Sequence, residues 1–403
     1  MPAKRNLAIL TSLAATTALA LPVLAQRGPS SGPVARYDMR AGTVSGMAAM
    51  GGGMGGAMGM MLGRGGNRTQ HELYLRLGSG RGPDKGAAKA DHFMPANAKL
   101  GKSVALVTPQ DERSPEDFPE GRRPKGRLLV FWGCGEHAPK GQPVVIDFAK
   151  LAAGQAPTGL WTSTIIRDWG PTKANSKTFG RWPADDGKFV KADSSLIGAH
   201  RIAANYAPEI GFTLTKDFMA ALTSTTGSLP SGATLLRWNA LGDATGYLAT
   251  LMGGKMSGRG EMGDMVMWTS SASRQFGGGL TDWLSPAQVA GLVKDRTLLA
   301  PSVTTCTIPA EVRAAAPDFR MGTLSAFGPE ESFAYPPRPV DPKAAWNLEW
   351  TARVRHRSMT SWMDMAGMAG MAGQDPNQPP PNDKCKPKGG LGGLLGGMVK
   401  PGC

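Results

Sequence analysis

From His71 the chain reads HELYLRL, and alternation of this kind suits one local structure, a strand with Leu73, Leu75 and Leu77 on one face and Glu72, Tyr74 and Arg76 on the other. Comparable runs follow in SVALVTP, RLLVFWGCG, QPVVIDFAKL, GLWTSTIIRDWGP, SLIGAHRIAAN and EIGFTLTKDFMAAL, each bounded by Pro, Gly or charged residues, the last able to turn helical at its end. In AAWNLEWTARVRHRS, Leu348, Trp350, Ala352 and Val354 alternate with Glu349, Thr351, Arg353 and Arg355, as expected of a half-buried strand on a sheet edge or face. Short β-runs separated by turns, without amphipathic helices repeated between them, predict a mainly β chain of antiparallel sheets packed as sandwiches. A body running from residue 71 to about residue 360 is long enough for two such domains, at 71–227 and 228–362.

The ends have a different character. Residues 1–25 run from a basic start, Lys4 and Arg5, through an apolar stretch to Val23-Leu24-Ala25, the pattern of a cleavable secretory signal cut after Ala25. Its removal takes two positive charges and lowers the formal net charge from +14 to +12. Export points to a periplasmic or secreted protein. It argues against a nucleic-acid partner, for which no motif is present, while a basic surface there suits anionic envelope components or another envelope protein. No transmembrane span is expected in the mature chain. Residues 26–70 and 363–403 are rich in Gly, Met, Ser and Pro with few bulky side chains, and read as a low-complexity leader and a disordered tail.

Four cysteines, Cys134, Cys306, Cys385 and Cys403, make an even count in an oxidising compartment, which favours disulfides over free thiols. Cys385 and Cys403 bracket a Gly-rich tail that can close on itself, leaving Cys134 and Cys306 to tie two strand-like segments. In WGCGEHAP, Cys134, Glu136 and His137 are also the parts of a zinc site or a thiol nucleophile with its base. No second Cys or His cluster stands at a recognisable interval, so a structural disulfide beside an exposed Glu-His turn is the preferred reading.

Between Arg40 and Arg64 lie 23 uncharged residues containing six methionines and nine glycines. Met47, Met50, Met54, Met58 and Met61 recur every three or four residues and would form one stripe on a helix. The length suffices to cross a bilayer, but each glycine costs a helix about 1 kcal/mol relative to alanine, so a span is disfavoured. Thioethers are soft ligands that select Cu(I), and a second cluster, Met359, Met363, Met365, Met368 and Met371, shares that property. The stretch WMDMAGMAGMAG is similar to the Met-rich repeats of periplasmic copper-resistance proteins. It departs from them in lacking a histidine beside Asp364, the nearest being His356. Low-complexity drift is the simpler account of both clusters, and no cofactor other than copper is suggested.

The run LPSGATLLRWNALGDATGYLATLMGG places a strand ending in Trp238, a polar turn, and Gly246-Tyr247 at the start of a second strand. With DFRMGTLSAFGPEESFAYPPRP as a late hairpin, residues 228–340 resemble a fibronectin type III module, which implies a sandwich used as a scaffold or binding element. An inserted loop and short helix in SRQFGGGLTDWLSPAQVAGLVKD, and Phe319 or Phe327 where a late-strand tyrosine is usual, depart from that pattern.

Trp132, Trp161, Trp169 and Trp182 would suit stacking on sugar rings if exposed in a row, though burial in the core is the commoner use of such residues. The pairs Asp185-Asp186 and Glu330-Glu331 are adjacent, so on strands they point to opposite faces rather than converge for acid-base work. The sequence therefore points to a non-enzymatic binding or structural protein of the cell envelope. Cu(I) binding by the methionine clusters is the alternative, and binding or hydrolysis of envelope polysaccharide a second one.

Overall fold

The structure, a computed structural model, describes residues 32–50, 68–109, 126–155, 162, 166, 168, 170–184, 189–256, 262–341 and 343–365. The chain is mainly β, and a sheet of ten strands organises it. In sheet order these are β6 (Val144–Asp147), β5 (Arg127–Trp132), β14 (Met262–Thr269), β13 (Gly246–Met256), β16 (Phe319–Tyr335), β17 (Trp350–Met365), β1 (Ala35–Gly46), β2 (Thr69–Ser79) and β7 (Thr178–Trp182), with β8 (Phe189–Val190) also paired to β2. Most pairs are antiparallel, but β1 runs parallel to β17 and β5 parallel to β14.

Two smaller sheets cover one face of the large one. The first holds β10 (Ile210–Leu214), β9 (Gly198–Ala204), β3 (Ala90–Phe93) and β4 (Val104–Ala105); the second holds β11 (Ser224–Ser228), β12 (Thr234–Trp238) and β15 (Thr305–Ile308). Tyr37, Met39, Leu73, Leu75, Leu77, Ala352 and Val354 pack against the first cover, around Ile202, Ile210 and Phe212. Leu251, Val266, Trp268, Leu324 and Ala326 pack against the second, around Leu236, Cys306 and Ile308. Trp238 and Tyr247, the pair behind the resemblance, meet across these layers with ring centroids 5.5 Å apart. The outer face is covered only in part. Helix α1 (Phe148–Ala152) packs over β5 and β6. Helix α2 (Pro286–Lys294), capped by Ser285 with Gln288 and started by proline, covers Leu248 and Phe327. Helix α3 (Ala310–Ala315) belongs to the covered side, where Val312 is buried.

The alternation read in HELYLRL holds, since all three leucines are fully buried. Several boundaries differ from expectation. Residues 35–46, expected in a leader outside the body, form a buried strand between β17 and β2. Its small inward side chain at Ala41 and the glycines beyond it look like filler in one dimension, whereas between two long strands they fit. Similarly, β17 continues through Met365 because β16 is 17 residues long and pairs with it to that point. The strand expected at an edge or face is thus interior. The large sheet draws strands from both sides of residue 228, with the two parallel pairs among them. The signal segment 1–25 lies outside the described residues.

Buried polar groups inside the first core are chained together. Tyr37 Oη lies 2.7 Å from His92 Nδ1, His92 Nε2 lies 2.9 Å from His200 Nδ1, and His200 Nε2 lies 2.7 Å from the Leu196 carbonyl. A carbonyl can only accept, so His200 Nε2 donates, and with both imidazoles neutral the direction of the rest follows: His92 Nε2 donates to His200, and the tyrosine hydroxyl donates to His92. With both imidazoles neutral, each contact in the chain has one donor and one acceptor. Burial favours that state, holding His92 well below the ordinary imidazole pKa, with His200 beside it acting in the same direction.

Candidate functional site: an arginine-lined cleft and the methionines

On the outer face of the large sheet, the residues of β1 and β17 that alternate with the core are charged. Asp38 stands beside Arg353 in register, Arg40 beside Arg355, and Gly42 beside Arg357. Asp38 Oδ1 accepts from Arg353 Nε at 3.1 Å and from Arg355 Nη2 at 2.9 Å; its Oδ2 accepts from Arg40 Nε at 2.9 Å and from Arg355 Nη2 at 2.8 Å. Asp168 reaches over the same group, bonding Arg40, Arg353 and Arg355. Burial pushes the Asp168 carboxyl upward, but Arg40, Arg355, the Gly170 N–H and Arg353 outweigh it and hold its pKa below the usual carboxylate range. One row further along, Glu72 on β2 and Arg357 on β17 pair at 2.8 Å across β1, where Gly42 lies between them. A Cβ on Gly42 would sit 2.4 Å from Glu72 Cγ, so the glycine is what lets that pair cross the strand. Arg357 also lies over the Trp283 ring, 4.2 Å from its centroid.

Next to this network opens a cleft of about 460 Å³, within the range of small-molecule sites. Arg36, Asp38 and Arg353 provide its charged wall, and Phe333, Trp346 and Pro171 an apolar one. Arg36 donates from Nη2 to the Asn175 carbonyl at 2.9 Å and to Asn175 Oδ1 at 3.1 Å. Asn175 is itself fixed by a capping box with Thr172, so the arginine is anchored at one nitrogen while Nε and Nη1 have no hydrogen-bond partner among the described residues. Arg338 stacks on Trp346 from outside the cleft, 5.8 Å from the ring centroid. Arg40, Arg353 and Arg355 pair with Asp38 and Asp168, and Arg36 joins the same cleft wall, so among the described residues these four guanidiniums outnumber the two carboxylates by two.

Sequence reasoning missed this site, although the signal was present. ARYDMR and TARVRHRS carry charges at alternate positions, and two strands so patterned form a charged seam when they lie side by side. What the sequence did not show was that segments more than 300 residues apart are neighbours.

The residues singled out from sequence are distributed as follows. Cys134 and Cys306 are disulfide-bonded with Cα atoms 5.2 Å apart, joining the end of β5 to β15. His137 is exposed and pairs with Glu311 at 3.1 Å, while Glu311 also accepts from Ala138 N, so the Glu-His turn is tied to α3 and holds no thiol base. Cys385 and Cys403 lie outside the described residues. Met47 and Met50 bound a 3-10 turn of four residues that follows β1. Met54, Met58, Met61, Met368 and Met371 lie outside the described residues. Met363 and Met365 are strand residues of β17, not part of a tail, and Met363 stands opposite Met321 of β16. Because β1 and β17 are parallel, with Gly46 beside Ser361, the turn bearing Met47 and Met50 packs next to the end of β17.

Trp182 is buried and Trp132 half-buried, while Trp161 and Trp169 lie outside the described residues. Glu331 accepts from Thr215 and Lys216, and Glu330 from Ser332; Asp185 and Asp186 are outside the described residues. Among the described residues no group of three or more His, Cys, Asp or Glu side chains is arranged to hold a metal ion, and no helix is long and apolar enough to cross a membrane. No protein-family model and no curated protein matches this chain.

Proposed function

We propose that this chain is an exported, non-enzymatic binding protein of the cell envelope, and that its ligand is an anionic, sugar-sized component held in the arginine-lined cleft. The observation that carries this reading is Arg36, which is anchored through Asn175 yet keeps two guanidinium nitrogens without a partner among the described residues, in a cleft of about 460 Å³ walled by Trp346 and Phe333. A guanidinium fork suits a carboxylate or phosphate, and an aromatic wall suits the face of a sugar ring. The network behind the cleft supports binding over catalysis. Both oxygens of Asp38 are occupied by guanidiniums, so this carboxylate is a support for Arg353 and not a base facing a substrate.

The test is calorimetric titration of the full chain at low ionic strength with uronic-acid oligosaccharides, sugar phosphates and their neutral counterparts. Saturable binding of an acidic sugar that weakens with added salt supports the proposal. Equal binding of the neutral counterparts, or none to any of the set, removes it.

A further inference from the structure

The same outer face changes character toward the other end of the sheet. Along β17, Arg353, Arg355 and Arg357 give way to Met359, Ser361 and Met363, all on one side of the strand. At Met363 the cross-strand register runs through a line of methionines: Met363 of β17 is opposite Met321 of β16, Met321 is opposite Met252 of β13, and Met252 is opposite Met267 of β14. Residues directly opposite in antiparallel pairs project to the same face, so four thioethers form one row across four strands, with neighbouring strands about 4.8 Å apart. The other face at this level carries Leu251 and Val266, which are buried in the second core.

The row is accessible in its middle. Met321 is 48% exposed and Met252 is 37% exposed, whereas Met267 and Met363 at its ends are half-buried. Met39 and Met219, by contrast, are enclosed in the cores. On one side of the row the same face presents Thr250, Thr323 and Ser361, which are neutral. On the other, the Phe319 ring lies over Gly254, beside Met265. No carboxylate or imidazole belongs to the row or to these flanking positions.

We infer that the thioether row Met267, Met252, Met321 and Met363 is a Cu(I) site, with Met252 and Met321 as its first ligands. Thioether sulfur is neutral and soft, a donor set that selects Cu(I) over Zn(II) or Mg(II). Metal–sulfur bonds are about 2.3 Å long, so one ion lying between neighbouring strands about 4.8 Å apart reaches a sulfur on each. The three rotatable bonds of methionine allow the remaining adjustment. Every residue of the row is held on paired backbone. It is also independent of the arginine-lined cleft, so either proposal stands if the other fails.

The experiment uses the full chain, Cu(I) under reducing conditions and a competing chromogenic Cu(I) chelator. Two variants are compared with the unmodified protein. In one, Met252→Leu and Met321→Leu keep side-chain volume and strand geometry but remove the sulfurs; in the other, Met54, Met58, Met61, Met368 and Met371 are changed to Leu. The expected result is that the first variant loses one equivalent of Cu(I), or binds at least tenfold more weakly, while keeping its thermal midpoint, and that the second retains that equivalent. Methyl NMR with Ag(I), a redox-inert probe of the same softness, should shift the Met252 and Met321 resonances. Unchanged stoichiometry and affinity in the first variant, loss of all binding in the second, or unshifted Met252 and Met321 methyls would each overturn the inference.

Discussion

Asp38 and Arg355 form an ion pair in which Arg355 Nη2 lies 2.9 Å from Oδ1 and 2.8 Å from Oδ2, although 317 residues separate them in sequence. Both are buried, and the pair bridges the parallel strands β1 and β17 at the middle of the large sheet. Removing one partner of a buried charge network leaves the others desolvated without compensation, which costs about 3–5 kcal/mol. Asp38→Asn therefore lowers the unfolding free energy by that amount in urea titration, because Asp168 is then the one carboxylate left to Arg353 and Arg355 among the described residues. A loss under about 1 kcal/mol would mean that the network is solvated in solution.

Acid sensitivity should come from the histidines before the carboxylates. Burial lowers the pKa of His71, His92, His200 and His356 in the folded chain. The unfolded chain binds protons at these imidazoles below about pH 6.5 while the folded chain keeps them neutral. Stability is then constant above that pH and falls as pH drops through it, by up to about 1.4 kcal/mol per pH unit for each histidine. Asp168 contributes in a separate, lower window: its folded pKa is depressed, so its share is lost only below the ordinary carboxylate range. Denaturation midpoints measured between pH 8 and pH 5 should decline from near neutrality; a curve flat to below pH 5 contradicts neutral burial.

The disulfide between Cys134 and Cys306 closes a loop with a sequence separation of 172. Chain-entropy reasoning assigns such a loop about 5 kcal/mol, and measured losses on removing native disulfides run about 2–5 kcal/mol. The double variant Cys134→Ser and Cys306→Ser should lose a stability in that range, read by denaturant titration. It should still retain its fold, because Leu236, Trp268 and Ile308 keep the layers packed.

Deleting residues 26–67 should abolish folding. β1 fills an interior position, and without it β2 and β17 lose a shared partner while Tyr37, Met39 and Ala41 leave the core. The deleted chain should show no cooperative thermal transition. A transition like that of the full chain would place β1 outside the folded body.

What the sequence disclosed and what it concealed divide along one physical line. HELYLRL, TLLRW and GYLATL announce strands because their large apolar residues alternate, and the β-rich layered fold follows from them. β1 is different: its inward side includes Ala41 and Thr43, it passes through Gly42 and Gly46, and a methionine-glycine run continues directly from it. Its strand character comes from its neighbours, since long partners on both sides supply the ladder that composition does not advertise. The methionine row was hidden for a similar reason. Met252, Met267, Met321 and Met363 are far apart in the chain, and only register brings them into line, whereas the conspicuous string at 47–61 contributes only Met47 and Met50 to the described structure. The pairing of Cys134 with Cys306 was accessible from sequence, because each cysteine sits in or beside an apolar strand run.

The reading of the arginine-lined cleft as an anion site depends most on Arg36, so the direct measurement is calorimetric titration of an acidic sugar into the full chain and into Arg36→Ala. A hydrogen bond to a charged group contributes about 1.5–3 kcal/mol, so the variant should bind about tenfold or more weakly, with a smaller salt dependence and an unchanged thermal midpoint. Equal affinity in the two proteins, with the same salt dependence, would contradict the assignment of the cleft as the binding site.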